Sequence, residues 1–317
     1  MSQENATLKV ILAALIGNFL VAVTKFIAAT LTGSSAMFSE AIHSVVDTSN
    51  QVLLLWGIKA SKKPADKDFP FGHGKEVYFW NFIVAIMIFA VGAVMSIYEG
   101  VHHIMHPEPI ANAYINYIVL CIALVFEGCV FFFALREFKK SKGDLGYFNA
   151  VQRSKDPSMF VVLFEDSAAM LGLMIALIGV ALTEYTGMLW IDGLASVLIG
   201  LVLAFTALWL AVETKGLLIG EAAEPEVVTD IHSLVGDYAG IEKINEVLTM
   251  HMGPDYILVN LSVDVVNNLR AGDLETAIAQ LDRQIKERHP RVKRVFIEAE
   301  AAPAVKAAGD TPKAKPS

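Results

Sequence analysis

Residues 39–51, SEAIHSVVDTSNQ, set a glutamate, a histidine and an aspartate into surroundings that are otherwise apolar. On a helix His43 and Asp47, four residues apart, stand on one face one turn from each other, with Glu40 three residues before His43 on that face. A second acidic pair, Glu165 and Asp166, lies inside FVVLFEDSAAMLGLMIALIG, and Glu127 lies inside IVLCIALVFEGCVFFFAL. One imidazole nitrogen with two or three carboxylates in a tetrahedral arrangement suits a borderline divalent transition metal. His43, Asp47 and Asp166 are therefore expected to be metal ligands supplied by two helices. Glu165, about 100° round its helix from Asp166, is expected to be a further ligand, a supporting partner or a proton carrier. Glu40, nearer the far mouth of its helix, and Glu127 are read as a proton or access path. A structural ion pair or hydrogen bond is the alternative for Glu127, with Lys25 as its partner or snorkelling. Small neighbours, Ser44, Ser49, Ser167, Ala168 and Ala169, allow the helices to approach closely.

The elements that must hold these residues are membrane spans. The chain is 55% apolar and only 18% charged, against about half and a quarter in soluble domains. The excess falls in six blocks, at 7–31, 36–58, 77–104, 112–135, 158–183 and 189–215. Each has about the 20 residues that cross a hydrocarbon core of about 30 Å. An ionised side chain at mid-bilayer costs about 2.5–3.5 kcal/mol even on mild scales, so such groups are expected to face a polar interior. The N-terminus, MSQENATLKV, has no basic region or cleavage site of a signal peptide, so the first block is read as a retained span. Connections 59–75 and 136–155 hold the lysines and arginines, while 31–36, 103–112 and 183–189 hold none. This places both termini in the cytoplasm or an equivalent compartment, and the membrane is read as a bacterial inner (cell) membrane. Cys121 and Cys129 share one apolar block and are read as small fillers.

From about residue 217 the sequence changes character. Apolar residues at helical spacing (Val227, Val228, Ile231, Leu234, Val235) precede two strand-like runs, INEVLTMHMG and YILVNLSVDVV, joined by a Gly253–Pro254–Asp255 turn. A second helix begins at about 273 with Asp273 as its cap, and RVKRVFIEAE closes the unit as a third strand. The αββαβ order predicts a two-layer α+β sandwich. Residues 221–300 carry 15 Asp/Glu against 8 Lys/Arg, which excludes nucleic acid as a partner. The expected organisation is a six-helix transmembrane transport domain over 1–216, a cytoplasmic domain over 217–300 and a disordered tail over 301–317.

The stretches GNFLVAVTKF, TGSSAMFSEAIHSVVDTSNQ, FPFGHGKE, VLFEDSAAMLG and IDGLASVLIG resemble the cation diffusion facilitators, the zinc-transporter family. The pair SEAIHSVVDTSNQ and EDSAAMLG is most similar to the zinc-transporter-nine-like branch. The resemblance implies six spans, a ferredoxin-like cytoplasmic domain, a homodimer and proton-coupled export of a divalent metal. It implies ligand pairs on the second and fifth spans. His43 and Asp47 match the former and Asp166 the later position of the latter. The earlier position is Val162 here, so Glu165 or another group has to complete the site, and a harder donor set brings manganese and iron forward beside zinc. A loop site of the family matches His73, with Asp66 and Asp68 nearby and Phe69 where the family has histidine. Asn245, Asn260, Glu298 and Glu300 stand where the family's cytoplasmic ligands lie, which favours dimerisation over metal binding there.

The function expected is efflux of a divalent cation, zinc first, by alternating access and metal/proton antiport. Manganese, iron, cobalt or cadmium export, or metal sensing and scaffolding without transport, are the alternatives. No Walker-type glycine loop and no H-E-x-x-H run occur, so neither nucleotide drive nor an enzyme is expected. No cofactor is expected beyond the transported ion.

Overall fold

The computed structural model describes residues 2–142, 146 and 157–300, in two compact units, Met1–Ile219 and Gly220–Ser317. The expected tail at 301–317 and the basic residues Arg153 and Lys155 lie outside the described residues. The first unit contains, among the described residues, α1 (Ser2–Thr32), α2 (Ser35–Ser61), α3 (Glu76–Met105), α4 (Ala113–Lys142), α5 (Pro157–Thr186) and α6 (Trp190–Ile219).

Among the described residues, four helices are long and apolar enough to cross a membrane: Glu76–Met105, Ala113–Phe132, Phe160–Thr186 and Trp190–Ile219. Helix α1 adds a shorter apolar stretch, Asn18–Thr32, and α2 carries the ionisable residues of the candidate site. Large apolar side chains such as Phe205, Val125 and Ile178 face outward, as expected of a helical membrane protein whose solvent is lipid. Cys121 and Cys129 are free and also lie on this outer surface, so they do not fill the interior as expected.

Two features fix α2, the helix that matters most. Gly33, at φ +70°, ends α1 with its N–H on the Ala29 carbonyl at 2.8 Å, a backbone turn that glycine makes without strain. Ser34 then caps α2, its hydroxyl accepting from the Met37 N–H at 3.2 Å. The long-range hold comes from α6. Asp192 is fully buried and accepts hydrogen bonds from Ser34 Oγ (2.7 Å), Ser35 N (2.5 Å) and Ala36 N (3.3 Å). A carboxylate at the first free N–H groups of a helix satisfies them and complements the helix dipole. Asp192 thus serves as a cap on another helix.

Helix α3 is interrupted by a π-helical segment, Ile88–Ala93. Beyond it α3 lies backbone to backbone on α6. A Cβ on Gly100 would sit 2.6 Å from the Gly193 carbonyl and 2.7 Å from the Val197 N–H, and one on Gly193 would sit 2.7 Å from the Gly100 carbonyl. Glycine on both sides is what permits this approach. The seam is pinned by Ser196 Oγ, which donates to the Ser96 carbonyl at 2.8 Å and shares a 2.5 Å hydrogen bond with Ser39 of α2.

The second unit has the order α7 (Pro225–Gly236), β1 (Ile241–Gly253), β2 (Tyr256–Val265), α8 (Ala271–Arg288) and β3 (Val292–Ala299). Strands β1 and β2 are antiparallel across the Gly253–Tyr256 turn, and β3 runs parallel to β2 on its other side after the α8 crossover. Alternate residues of β2, Ile257, Val259, Leu261 and Val263, are buried with Ile231 and Val235 of α7 and Leu281 and Ile285 of α8. Pro225 at the first turn of α7 uses its fixed φ where no N–H is needed. Helix α8 starts earlier than expected. Arg270 occupies the cap position without a side-chain bond, and Asp273 sits in the first turn. There its charge acts on the helix dipole instead of capping.

Candidate metal site

The α2 stripe Glu40–His43–Asp47–Asn50 points into the helical unit. Glu40, His43 and Asn50 are at most 1% exposed, and the Asp47 side chain is nearly covered. His43 Nδ1 lies 3.4 Å from Asp47 Oδ1. From α5, Glu165 is buried, lies within hydrogen-bond reach of Asp47, and accepts from Asn50 Nδ2 at 2.6 Å. Asn50 is the residue that sequence reasoning missed. Its signal was present, since it lies three residues beyond Asp47 on the same face. Asp166 follows Glu165, and its surroundings include the Glu165 and Glu127 charges.

Several atoms here are buried without a hydrogen-bond partner: both ring nitrogens of His43, Asp47 Oδ1 and Asp166 Oδ2. Buried polar groups in folded proteins are almost always paired, and a group left unpaired points to a missing ligand or ion. An imidazole and two carboxylates with free lone pairs are the donors a divalent transition metal takes. Among the described residues, however, no three His, Cys, Asp or Glu side chains are gathered closely enough to hold an ion. The contacts are pairwise, His43 with Asp47 and Asp47 with Glu165. Val162 is half-buried on α5 and has no donor atom to offer.

Glu40, expected near a mouth, is fully buried and paired with Lys25 of α1, its Oε2 lying 3.1 Å from Nζ. Lys25 also reaches Glu127 Oε1 at 3.8 Å, the ion pair that the sequence offered as the alternative for Glu127. That Glu40 is the nearer acid was not visible in sequence, because the choice between α2 and α4 depends on packing.

In the loop between α2 and α3, His73 Nε2 and Asp66 Oδ2 lie 2.9 Å apart, and Asp66 Oδ1 accepts from the N–H groups of Asp68 and Phe69 at 2.9 and 2.8 Å. The His73 hydrogen bond, followed by the Phe69 N–H, holds the Asp66 carboxyl below its ordinary range. The Phe69 ring packs on His73 with centroids 4.5 Å apart. Asp68 contributes its backbone to this turn, and His73 Nδ1 is buried without a partner. In the second unit Asn245 Nδ2 donates to Ser262 Oγ at 3.3 Å and to the Glu300 carbonyl at 3.0 Å. These residues knit strands together. His232 is exposed and His251 buried.

The helical unit matches one family model: residues 11–219 fit the cation efflux transmembrane domain. The chain belongs to the cation efflux family. This cation efflux protein is 32% identical to a frog (Xenopus laevis) relative named proton-coupled zinc antiporter SLC30A9, mitochondrial, over 92% of the chain and 59% of the relative. It is 35% identical to the human protein of that name over 81% of the chain and 45% of the relative. The chain thus spans about half the length of these curated relatives. It is also 23% identical to a Bacillus subtilis protein named manganese efflux system protein MneP, over 93% of the chain and 96% of the relative. The likeness to the zinc-transporter-nine-like branch, read from SEAIHSVVDTSNQ and EDSAAMLG, is thereby met.

Proposed function

We propose that this protein exports a divalent transition-metal ion, zinc first, by metal/proton antiport through alternating access. The observation that carries the reading is the buried His43, with no hydrogen bond on either ring nitrogen, beside Asp47, which in turn reaches Glu165 of α5. Asp166 is the next donor. Glu165, fixed by Asn50, is the group that stands in for the donor absent at Val162. A modest shift of α5 against α2 closes the pairs into one site around the arriving ion, and opening it on the other side exposes the ion to protons. Ligation needs a neutral imidazole and ionised carboxylates, so binding expels protons and protonation expels metal. The relatives' names, a proton-coupled zinc antiporter and a manganese efflux protein, support both the coupling and a metal choice between zinc and manganese, with iron, cobalt and cadmium to be compared.

The reading further takes 1–216 as a six-span transport domain with both termini on the lysine-rich side of the membrane, and 217–300 as a ferredoxin-like domain on that side joining two copies. The membrane is that of a bacterial cell or of a mitochondrion. The test is metal flux into proteoliposomes with a trapped dye and an imposed pH gradient, across Zn²⁺, Mn²⁺, Fe²⁺, Co²⁺ and Cd²⁺. His43→Ala and Asp47→Ala are expected to abolish flux, and Glu165→Gln to reduce it sharply. Metal binding without flux in the wild type refutes export, and normal flux in Glu165→Gln refutes its place in the site.

A further inference from the structure

We propose that Glu40, Ser44 and Glu127 form a second cation site inside the helical unit, filled by the chain's own Lys25 ammonium. This tethered cation keeps the transported metal on His43, Asp47 and the α5 acids. The proposal rests on the metal-binding reading of His43 and Asp47 given above.

Lys25 is fully buried. Its ammonium donates to Ser44 Oγ at 2.7 Å and to Glu40 Oε2 at 3.1 Å, with Glu127 Oε1 at 3.8 Å. The partners are two carboxylates and a hydroxyl, an all-oxygen set of the kind hard cations take. Glu40 Oε1 is buried and accepts no hydrogen bond, so the site has coordination to spare. That oxygen also lies against α5, where a Cβ on Gly172 would collide with it. The lysine-filled site therefore adjoins the helix that carries Glu165 and Asp166, and on α2 Ser44 is the residue after His43.

This arrangement sets Lys25 among Glu40, Glu127 and Asp47, with Glu165 beside Asp47 and Asp166 beside Glu165. Charge alone gives an incoming dication no reason to choose Asp47 over Glu40. A lysine fixed to α1 does, because an ammonium held in place by the chain competes as an intramolecular ligand at high effective concentration. A monovalent cation that cannot leave thus reserves two acids and leaves the histidine-containing set open. The histidine set is also the softer one and suits a transition metal better.

The test is Zn²⁺ bound per chain by the full-length protein in nanodiscs, measured by equilibrium dialysis. It is read as differences between variants, so that metal held elsewhere on the chain cancels. K25M is expected to bind one more ion than wild type, and K25M/E40Q/E127Q to return to the wild-type number. D47A is expected to lose one ion in either background. If D47A loses none, the transport-site reading fails while the K25M comparison still reports on the second site. An unchanged number in folded K25M overturns the proposal. Where K25M does not fold, E40Q/E127Q decides it. Lys25 released from its acids competes for neighbouring Asp47, and Zn²⁺ is expected to bind roughly tenfold more weakly. Wild-type affinity in that variant overturns the proposal equally.

Discussion

Replacing Gly100 with alanine tests whether the α3–α6 seam holds α2 in position. The added Cβ would stand 2.6 Å from the Gly193 carbonyl, while ordinary contact begins at 3.4 Å, so the helices have to part by about 0.8 Å. The two closest atoms, the Gly193 carbonyl oxygen and the Val197 nitrogen, are backbone and cannot rotate away. Parting lengthens the Ser196–Ser96 hydrogen bond, now 2.8 Å, to about 3.6 Å, beyond a useful bond. It also draws Ser196 from Ser39 on α2. Overpacking costs about 1–3 kcal/mol, and each lost hydrogen bond about 0.5–1.5 kcal/mol more. The expected loss is about 2–4 kcal/mol, or on the order of 10 °C in Tm, by thermal unfolding in nanodiscs. Zn²⁺ flux at a temperature where the variant is folded is expected to fall with it, since Ser39 precedes Glu40 and His43 on the same helix. A variant within 0.5 kcal/mol of wild type, with normal flux, would refute the claim that this seam is closed to a methyl group.

Asp192→Ala leaves two backbone N–H groups and the Ser34 hydroxyl without their acceptor. A loss of about 2–4 kcal/mol is expected, checked by thermal unfolding. Asn50→Leu removes the amide that fixes Glu165, and Zn²⁺ binding by titration is expected to weaken roughly tenfold or more while the protein stays folded. In the second unit, burial pushes Glu224 up, but its 2.7 Å hydrogen bond to Arg291 and the charge there outweigh this and hold the carboxyl below its ordinary range. A depressed carboxyl stabilises the fold above its unfolded pKa and loses that contribution as pH falls through the folded one. Glu224→Gln is therefore expected to destabilise the unit modestly at pH 7, since the guanidinium is half-exposed, and the difference from wild type is expected to shrink as pH falls through the depressed carboxyl's range. A pH series of unfolding curves checks it.

The α2 stripe was legible because ionisable residues in an apolar run are too costly to be incidental, and period 3.6 gives their common face. The strand pair around Gly253–Pro254–Asp255 was legible for a similar local reason, as was the burial of alternate β2 residues. Asp192 shows the limit. Its acid character was plain, but the N–H groups it binds lie more than 150 positions away in the chain. Lys25 shows the same limit, since the sequence offered Glu127 as its partner and packing sets Glu40 nearer. The start of α8 was misplaced because Asp273 is a good cap by type, whereas the chain turns helical before it, at Ala271. The run IFAVGA carries no mark of π geometry, which arises from how α3 packs.

That π turn gives α3 one place where its length can change by a residue. Each residue of an α-helix advances the facing direction by about 100°, and a wide turn absorbs one residue beyond the regular repeat. Deleting a single residue between Ile88 and Ala93 is expected to let the helix run regular while Ser96 and Gly100 keep their place on the surface of α6. The wide turn therefore acts as a splice, holding both halves of one rod against the same two neighbours, α2 and α6.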